Sequence, residues 1–270
     1  MNKDNQYKAK VKEFNNGKIK IREYQSLMTI PKSDKTKNSG SPETQKRILR
    51  ANGEITKRSL SRTRQALIEL VENNEERFKS FITLTYKEDI ENISEAYSNL
   101  QSYIRSCKRN YPDFCYVAVP EIQHHRAKKT GKYVIHFHLI TNAPVGSKLI
   151  PEREPKQITG ADFKGTKTIT YYDVEYWNKG FSIALPIIQQ GEFELSKYLL
   201  KYLYKDLDNR FYGRQKLLHS NNLKAPEFNY YLNADEIKEE NKKDIKEVYS
   251  LLEGEAQYPF IDYIYKKDKV

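Results

Sequence analysis

Apolar positions recur with two different periods along this chain, and the places where the period changes mark its elements. Near the start, Lys8-Ala9-Lys10-Val11-Lys12-Glu13-Phe14 and Lys18-Ile19-Lys20-Ile21-Arg22-Glu23-Tyr24 alternate around Asn15-Asn16-Gly17. Asn-Gly between alternating segments is the signal of a β-hairpin, so residues 7–24 are expected to pair. Residues 31–46 have no period and read as a flexible linker. The spacing becomes helical from about Thr56 to Val71. There Leu60, Thr63, Leu67 and Leu70 or Val71 share a face, while Lys57, Arg58, Arg62 and Arg64 crowd the remainder. Phe81-Ile82-Thr83-Leu84-Thr85-Tyr86 is β-branched and aromatic, with Phe81, Thr83 and Thr85 on one face of a strand. From about Ser94 to Asn110 the period is helical again, through Ala96, Leu100, Tyr103-Ile104 and Cys107, until Pro112 breaks it.

Two apolar strands follow, Tyr116 to Gln123 and Tyr133 to Thr141, joined by a basic, Gly-containing turn that holds His124 and His125. Residues 144–170 contain Pro144, Gly146, Pro151, Pro155 and Gly160 and read as a long, partly irregular insertion. Another strand, Trp177 to Ile187, has a Gly180 turn, and a helix over Phe193 to Leu207 follows it. Beyond Gly213 the chain is polar, with an expected helix from Ala234 to Leu252 and an aromatic tail from Tyr258 to Tyr265. This order predicts an α+β fold, a central antiparallel sheet with helices on one side, an N-terminal hairpin and a C-terminal helical tail. The expected divisions are residues 1–54, a core over 55–212 with the 144–170 insertion, and a polar extension over 213–270.

Composition narrows the function. The formal net charge of +11 favours a polyanionic partner. The 21 tyrosines supply aromatic faces on which unpaired bases can stack. No apolar run approaches a membrane span, and the first residues have no signal-peptide pattern. Cys107 and Cys115 are too few for a disulfide framework and match no zinc spacing, so a cytoplasmic location and no membrane partner are expected.

Two segments carry chemistry. In Ile135-His136-Phe137-His138-Leu139 the two histidines point to one face of a strand. If the strand ending near Glu121 pairs beside them, a carboxylate joins two imidazoles, a donor set suited to a divalent cation with open positions. Gln123 lies on the same strand face as Glu121 and is the reserve third ligand. The second segment is Lys197-Tyr198-Leu199-Leu200-Lys201-Tyr202-Leu203-Tyr204-Lys205. Tyr198 and Tyr202 are neighbours on one helix face, and Lys201 and Lys205 flank it. A phenol beside ammonium groups is better stabilised as phenolate and can serve as a nucleophile.

Taken in order, Phe81–Tyr86, Glu121 with His136-Phe137-His138, and the Tyr198–Lys205 helix resemble the three motifs of the HUH endonucleases. More narrowly they resemble the rolling-circle replication initiators of phages and small plasmids. Trp177 and Gly180-Phe181 before the tyrosine helix and the basic stretch Arg58 to Arg64 support the resemblance, which covers roughly residues 55–210. The spacing from Glu121 to His136, the insertion and the N-terminal hairpin match no signature of that family. No Gly-x-x-x-x-Gly-Lys-Ser/Thr phosphate loop occurs, so a fused motor domain is not expected.

The resemblance implies a metal-dependent endonuclease and strand transferase acting on single-stranded origin DNA in the cytoplasm of a bacterial host. It implies Mg²⁺ or Mn²⁺ held by His136, His138 and Glu121, and Tyr198 as nucleophile with Tyr202 as a second. Lys201 and Lys205 would assist the phenols, and a host helicase and DNA polymerase would be partners. Arg58, Arg62, Arg64, Lys128, Lys129, Lys132 and Lys197 are the expected DNA contacts. A transposase or relaxase of the same superfamily, a non-catalytic nucleic-acid-binding protein and a metal-dependent hydrolase without a covalent step are the alternatives.

Overall fold

The structure is a computed structural model. It describes residues 6–30, 57–88, 90, 92–123, 128–129, 131–132, 134–153, 155–162, 165–187, 195–205, 215–251 and 260–266. In chain order the elements are β1 (Gln6–Glu13), β2 (Lys18–Thr29), α1 (Lys57–Asn73), β3 (Ser80–Tyr86), α2 (Ile93–Asn110), β4 (Tyr116–Ile122), β5 (Ile135–Thr141) and β6 (Lys156–Asp162). They continue as β7 (Gly165–Tyr171), β8 (Gly180–Pro186), α3 (Leu195–Lys205), β9 (Leu218–His219), β10 (Glu227–Tyr231), α4 (Asp235–Glu240), β11 (Ile245–Leu251) and β12 (Phe260–Lys266). Two units result: Arg50–Lys224 form one, and Met1–Leu49 with Ala225–Val270 form the other.

The larger unit is built on an antiparallel sheet of order β8-β3-β5-β4-β9. Every residue of β5 is buried, the mark of a central strand covered on both sides. On one face Ile82, Leu84, Phe137 and Leu139 pack against Ala96, Tyr97, Leu100, Tyr103, Ile104 and Cys107 of α2. Leu100 and Ile104 each contribute about 1.5–3 kcal/mol by burial, more than the ~1 kcal/mol of a cap, so packing rather than the Asn92 cap holds α2 in place. On the opposite face Val117, Val119 and Ile140 meet Leu67, Leu70 and Val71 of α1 and Leu195, Leu199 and Leu200 of α3. Helices therefore flank both faces, where the sequence predicts one; β4 and β5 are apolar on both sides and need two covers.

Gly180 is fixed by a close approach. A Cβ there would sit 2.3 Å from both the Lys87 amide nitrogen and the Thr85 carbonyl oxygen. The same carbonyl accepts a 3.1 Å hydrogen bond from Trp177 Nε1. Trp177 in turn packs edge-on against Tyr86 and Tyr103, with ring centres 5.1 and 5.9 Å away.

Part of the expected insertion is regular: β6 and β7 form a hairpin with Ile158 opposite Ile169. The smaller unit is a sheet of order β10-β1-β2-β12-β11, in which the predicted hairpin pairs around Gly17 (φ 79°). The expected helix over 234–252 is a correction. Helix α4 stops at Glu240, where Asn241 turns its side-chain amide back onto the Ile237 carbonyl at 2.8 Å, a local bond that competes with further helix. Ile245–Leu251, with Val248 and Tyr249, is instead a strand paired to β12. The C-terminal tail is thus a sheet component and not a helical extension. Between β2 and β12, Asp262 is buried and receives two 2.7 Å bonds from Arg22 and a 2.8 Å contact from Lys20.

Gly180→Ala drives a methyl into the β3 backbone and should lower stability by at least ~1–3 kcal/mol, read as a fall in the urea midpoint. Burial pushes the Asp262 carboxyl up, but Arg22 and Lys20 outweigh it and hold the group below its ordinary value. A depressed carboxylate contributes stability above its unfolded pKa, and that contribution is lost as pH falls through the folded value. Asp262→Asn should therefore destabilise by about 3 kcal/mol at pH ~7, with the gap to wild type closing below pH ~4 in urea unfolding followed by far-UV circular dichroism.

Candidate active site

The face of the sheet beneath α3 carries Phe81, Thr83 and Thr85 of β3, Glu121 of β4, and His136 and His138 of β5. Antiparallel register produces this set directly: Thr83 faces His138, Thr85 faces His136, and Glu121 faces His136 from the other side. Both histidines are buried at 5% exposure. Their ring centres lie 6.5 Å apart. Gln123 stands just past the end of β4, half-buried, with its amide nitrogen bonded to the Val134 carbonyl at 2.9 Å.

His138 is held at both ring nitrogens. Nε2 lies 2.6 Å from Glu121 Oε2, and Nδ1 lies 3.2 Å from Thr83 Oγ1. In the neutral imidazole, Nε2–H donates to the carboxylate and Nδ1 accepts from the Thr83 hydroxyl.

Helix α3 lays its tyrosines onto this face because Leu195, Leu199 and Leu200 are buried against the sheet and α1. The Tyr202 ring stacks flat on the His138 imidazole, 3.5 Å between centres and 13° between planes. One turn earlier, the Tyr198 ring covers Phe81 with a 4.3 Å centre separation. The Tyr202 hydroxyl donates a 3.1 Å hydrogen bond to the Tyr198 hydroxyl. Two phenols, an imidazole and a carboxylate thus form one contiguous cluster.

The phenols are not activated as expected. Burial raises the Tyr198 hydroxyl above its ordinary pKa; the bond from Tyr202 offsets part of this and the Glu121 charge adds to it. Tyr202 is raised further by burial, by its bond to Tyr198 and by the Tyr198 and Glu121 charges. Lys201 is exposed with Nζ 5.5 Å from the centre of the Tyr202 ring, and burial outweighs it. Lys205 and Lys197 lie on α3, but their side chains are outside the described residues, as is that of Arg58 on α1. Arg62 is exposed, Arg64 half-buried, and Lys128, Lys129 and Lys132 are exposed between β4 and β5. His124 and His125 lie outside the described residues.

Two imidazoles and a carboxylate on one face are donor types that suit a divalent cation. Among the described residues, no three His, Cys, Asp or Glu side chains are gathered as a metal site. Glu121 is instead engaged with His138. A cation taking His138 through Nε2 would displace that proton, move the other to Nδ1 and turn the Thr83 hydroxyl from donor to acceptor, which a hydroxyl permits.

Thr83 was not singled out by the sequence, although alternation places it on the face of Phe81 and Thr85. Phe181 is a second such residue. It stands opposite Thr85 in register, and so on the same face as the histidines, with 67% of its surface exposed.

This geometry coincides with a family match. Residues 79–207 match a family model for replication-associated proteins of the ORF2 type. The match runs from the residue before β3 to just past α3, and so contains every residue of the cluster. It is consistent with the resemblance to rolling-circle replication initiators and links this site to DNA replication. No curated protein and no solved structure matches the chain. No described helix is long and apolar enough to cross a membrane.

Thr83→Val keeps the side-chain shape and removes the donor to His138 Nδ1. Stability should fall by about 1 kcal/mol in urea unfolding. Nitrogen NMR of the imidazole should show an altered Nδ1 environment with the Nε2–H to Glu121 bond retained.

Proposed function

We propose that this protein nicks and rejoins single-stranded DNA to initiate rolling-circle replication, through a covalent 5′-phosphotyrosine. The observation that supports this most is the juxtaposition of Tyr198, Tyr202, His138 and Glu121 on one face of the sheet, within the stretch that matches the replication-associated family.

Tyr198 is the nucleophile. The bond donated by Tyr202 favours its phenolate oxygen, and its ring is braced on Phe81. The oxygen attacks phosphorus, the bond from phosphorus to the 3′ oxygen breaks, and that oxygen leaves as a 3′-OH after taking up a proton. The phenol proton passes to solvent or to a carboxylate. Attack by another 3′-OH on the tyrosyl phosphate reverses the step and joins strands, because the phosphodiester energy is retained. Tyr202, one turn away, is placed to act as a second nucleophile.

His136, His138 and Glu121 would hold Mg²⁺ or Mn²⁺, which when bound supplies Lewis-acid polarisation of the scissile phosphate. Phe181 offers an open ring on which a flanking base can stack. Lys201 and the exposed Arg62, Lys128, Lys129 and Lys132 would meet the DNA backbone in the origin, and a host helicase and polymerase would extend the freed 3′ end.

The test uses pooled single-stranded oligonucleotides from the protein's own replicon with Mn²⁺. Wild type should form a denaturant-resistant adduct mapping to Tyr198. Tyr198→Phe should abolish it and Tyr202→Phe should retain it; the reverse pattern reassigns the nucleophile. Removing divalent cations with EDTA, or changing both His136 and His138 to Ala, should stop nicking while salt-sensitive DNA binding persists. Cleavage without any protein adduct would indicate a hydrolase, and binding without cleavage a non-catalytic protein.

A further inference from the structure

The smaller unit has a sheet with two unlike faces. One carries Ala9, Val11, Ile21 and Tyr265 and is closed by Ala234 and Ile237 at helix α4. Register assigns the other face. Lys10 lies between Tyr230 and Arg22; Lys12 lies between Phe228 and Lys20; Tyr24 faces Phe260. A β-bulge between Tyr7 and Ala9 turns Tyr7 onto this same face.

Its rings form a continuous row across four strands. Tyr230 and Tyr7 have centres 4.4 Å apart, Tyr7 and Tyr24 5.7 Å, and Tyr24 and Phe260 6.2 Å. Phe228 extends the row along the edge strand, 5.5 Å from Tyr230 and 49% exposed. The row borders a patch of cations, Lys10, Lys12, Lys20 and Arg22, with the buried carboxylate of Asp262 beneath the last two. Lys10 Nζ sits 3.9 Å from the centre of Phe228, and the Arg22 guanidinium 3.8 Å from that of Phe260.

A face that needed only to be soluble would carry mixed charge and few rings. Rings held in a row beside cations fit a ligand with flat apolar faces joined by anions at regular intervals. Duplex DNA hides its base faces; a single strand offers both bases and phosphates. We propose that this open sheet face is a second binding site, for single-stranded nucleic acid, separate from the cluster on the larger unit. Bases stack on Phe228, Tyr230, Tyr24 and Phe260, and phosphates meet Lys10, Lys12, Lys20 and Arg22. The proposal does not require the nickase reading to hold.

The experiment uses the full chain and a fluorescent oligo-dT, with anisotropy read over a range of salt. Phe228→Ala with Tyr230→Ala should weaken binding about tenfold or more, with little change in the salt slope. Lys10→Gln with Lys12→Gln should weaken binding and also flatten the slope. Tyr230→Phe, which keeps the ring, should bind as wild type, and circular dichroism should show each variant folded. A duplex of equal length should compete poorly. Wild-type affinity in both double variants, or competition by heparin and duplex as strong as by single strand, would overturn the proposal. Adduct formation on a saturating short nick-site oligonucleotide should be unchanged in these variants. Loss of binding here with no adduct in any protein refutes the nickase alone, and normal binding with a normal adduct refutes the platform alone.

Discussion

The flat contact between the Tyr202 ring and the His138 imidazole ties the site together. It joins a helix to the central strand through the two residues that carry the chemistry. A 3.5 Å stack leaves no room for α3 to slide by a turn without exposing both rings. His138 cannot turn either, because Thr83 and Glu121 grip its two nitrogens from neighbouring strands. Position is therefore set in three directions by the strand partners, the helix above and the packed apolar layer below.

Much of this was legible in the residues. The spacing of His136 and His138 fixes a common face in any strand, and the Tyr198–Tyr202 interval fixes a common face in any helix. That Glu121 would lie beside the histidines required only that its strand pair antiparallel with theirs, and it does. The direct Glu121–His138 bond was not legible, because alternation says which face a side chain takes but not which diagonal neighbour it reaches. Thr83 escaped notice for the same reason. The expected phenolate stabilisation failed on a magnitude: burial of the rings outweighs a lysine that stays in solvent.

The misread C-terminal stretch has a different cause. Glu and Lys dominate residues 235–243 and share helical preference, but Ile245, Val248 and Tyr249 favour a pleated surface once a partner strand exists. That partner is β12, which itself pairs with β2 from the other end of the chain. No local window contains this information. The same is true of helices on both sides of the central sheet, which follow from the doubly apolar β4 and β5 rather than from the order of elements.

The Arg22–Asp262 pair spans 240 positions of the chain. Its sheet takes β1 and β2 from one end and β10, β11 and β12 from the other, so an N-terminal hairpin leaving the ribosome waits for β10 to cover one edge and for β12 to cover the other. The larger unit draws all its strands from the intervening stretch and can close earlier. Synthesis therefore finishes the His138 cluster before it finishes the aromatic sheet face, and a truncation a few residues inside β12 would spare the first while dissolving the second.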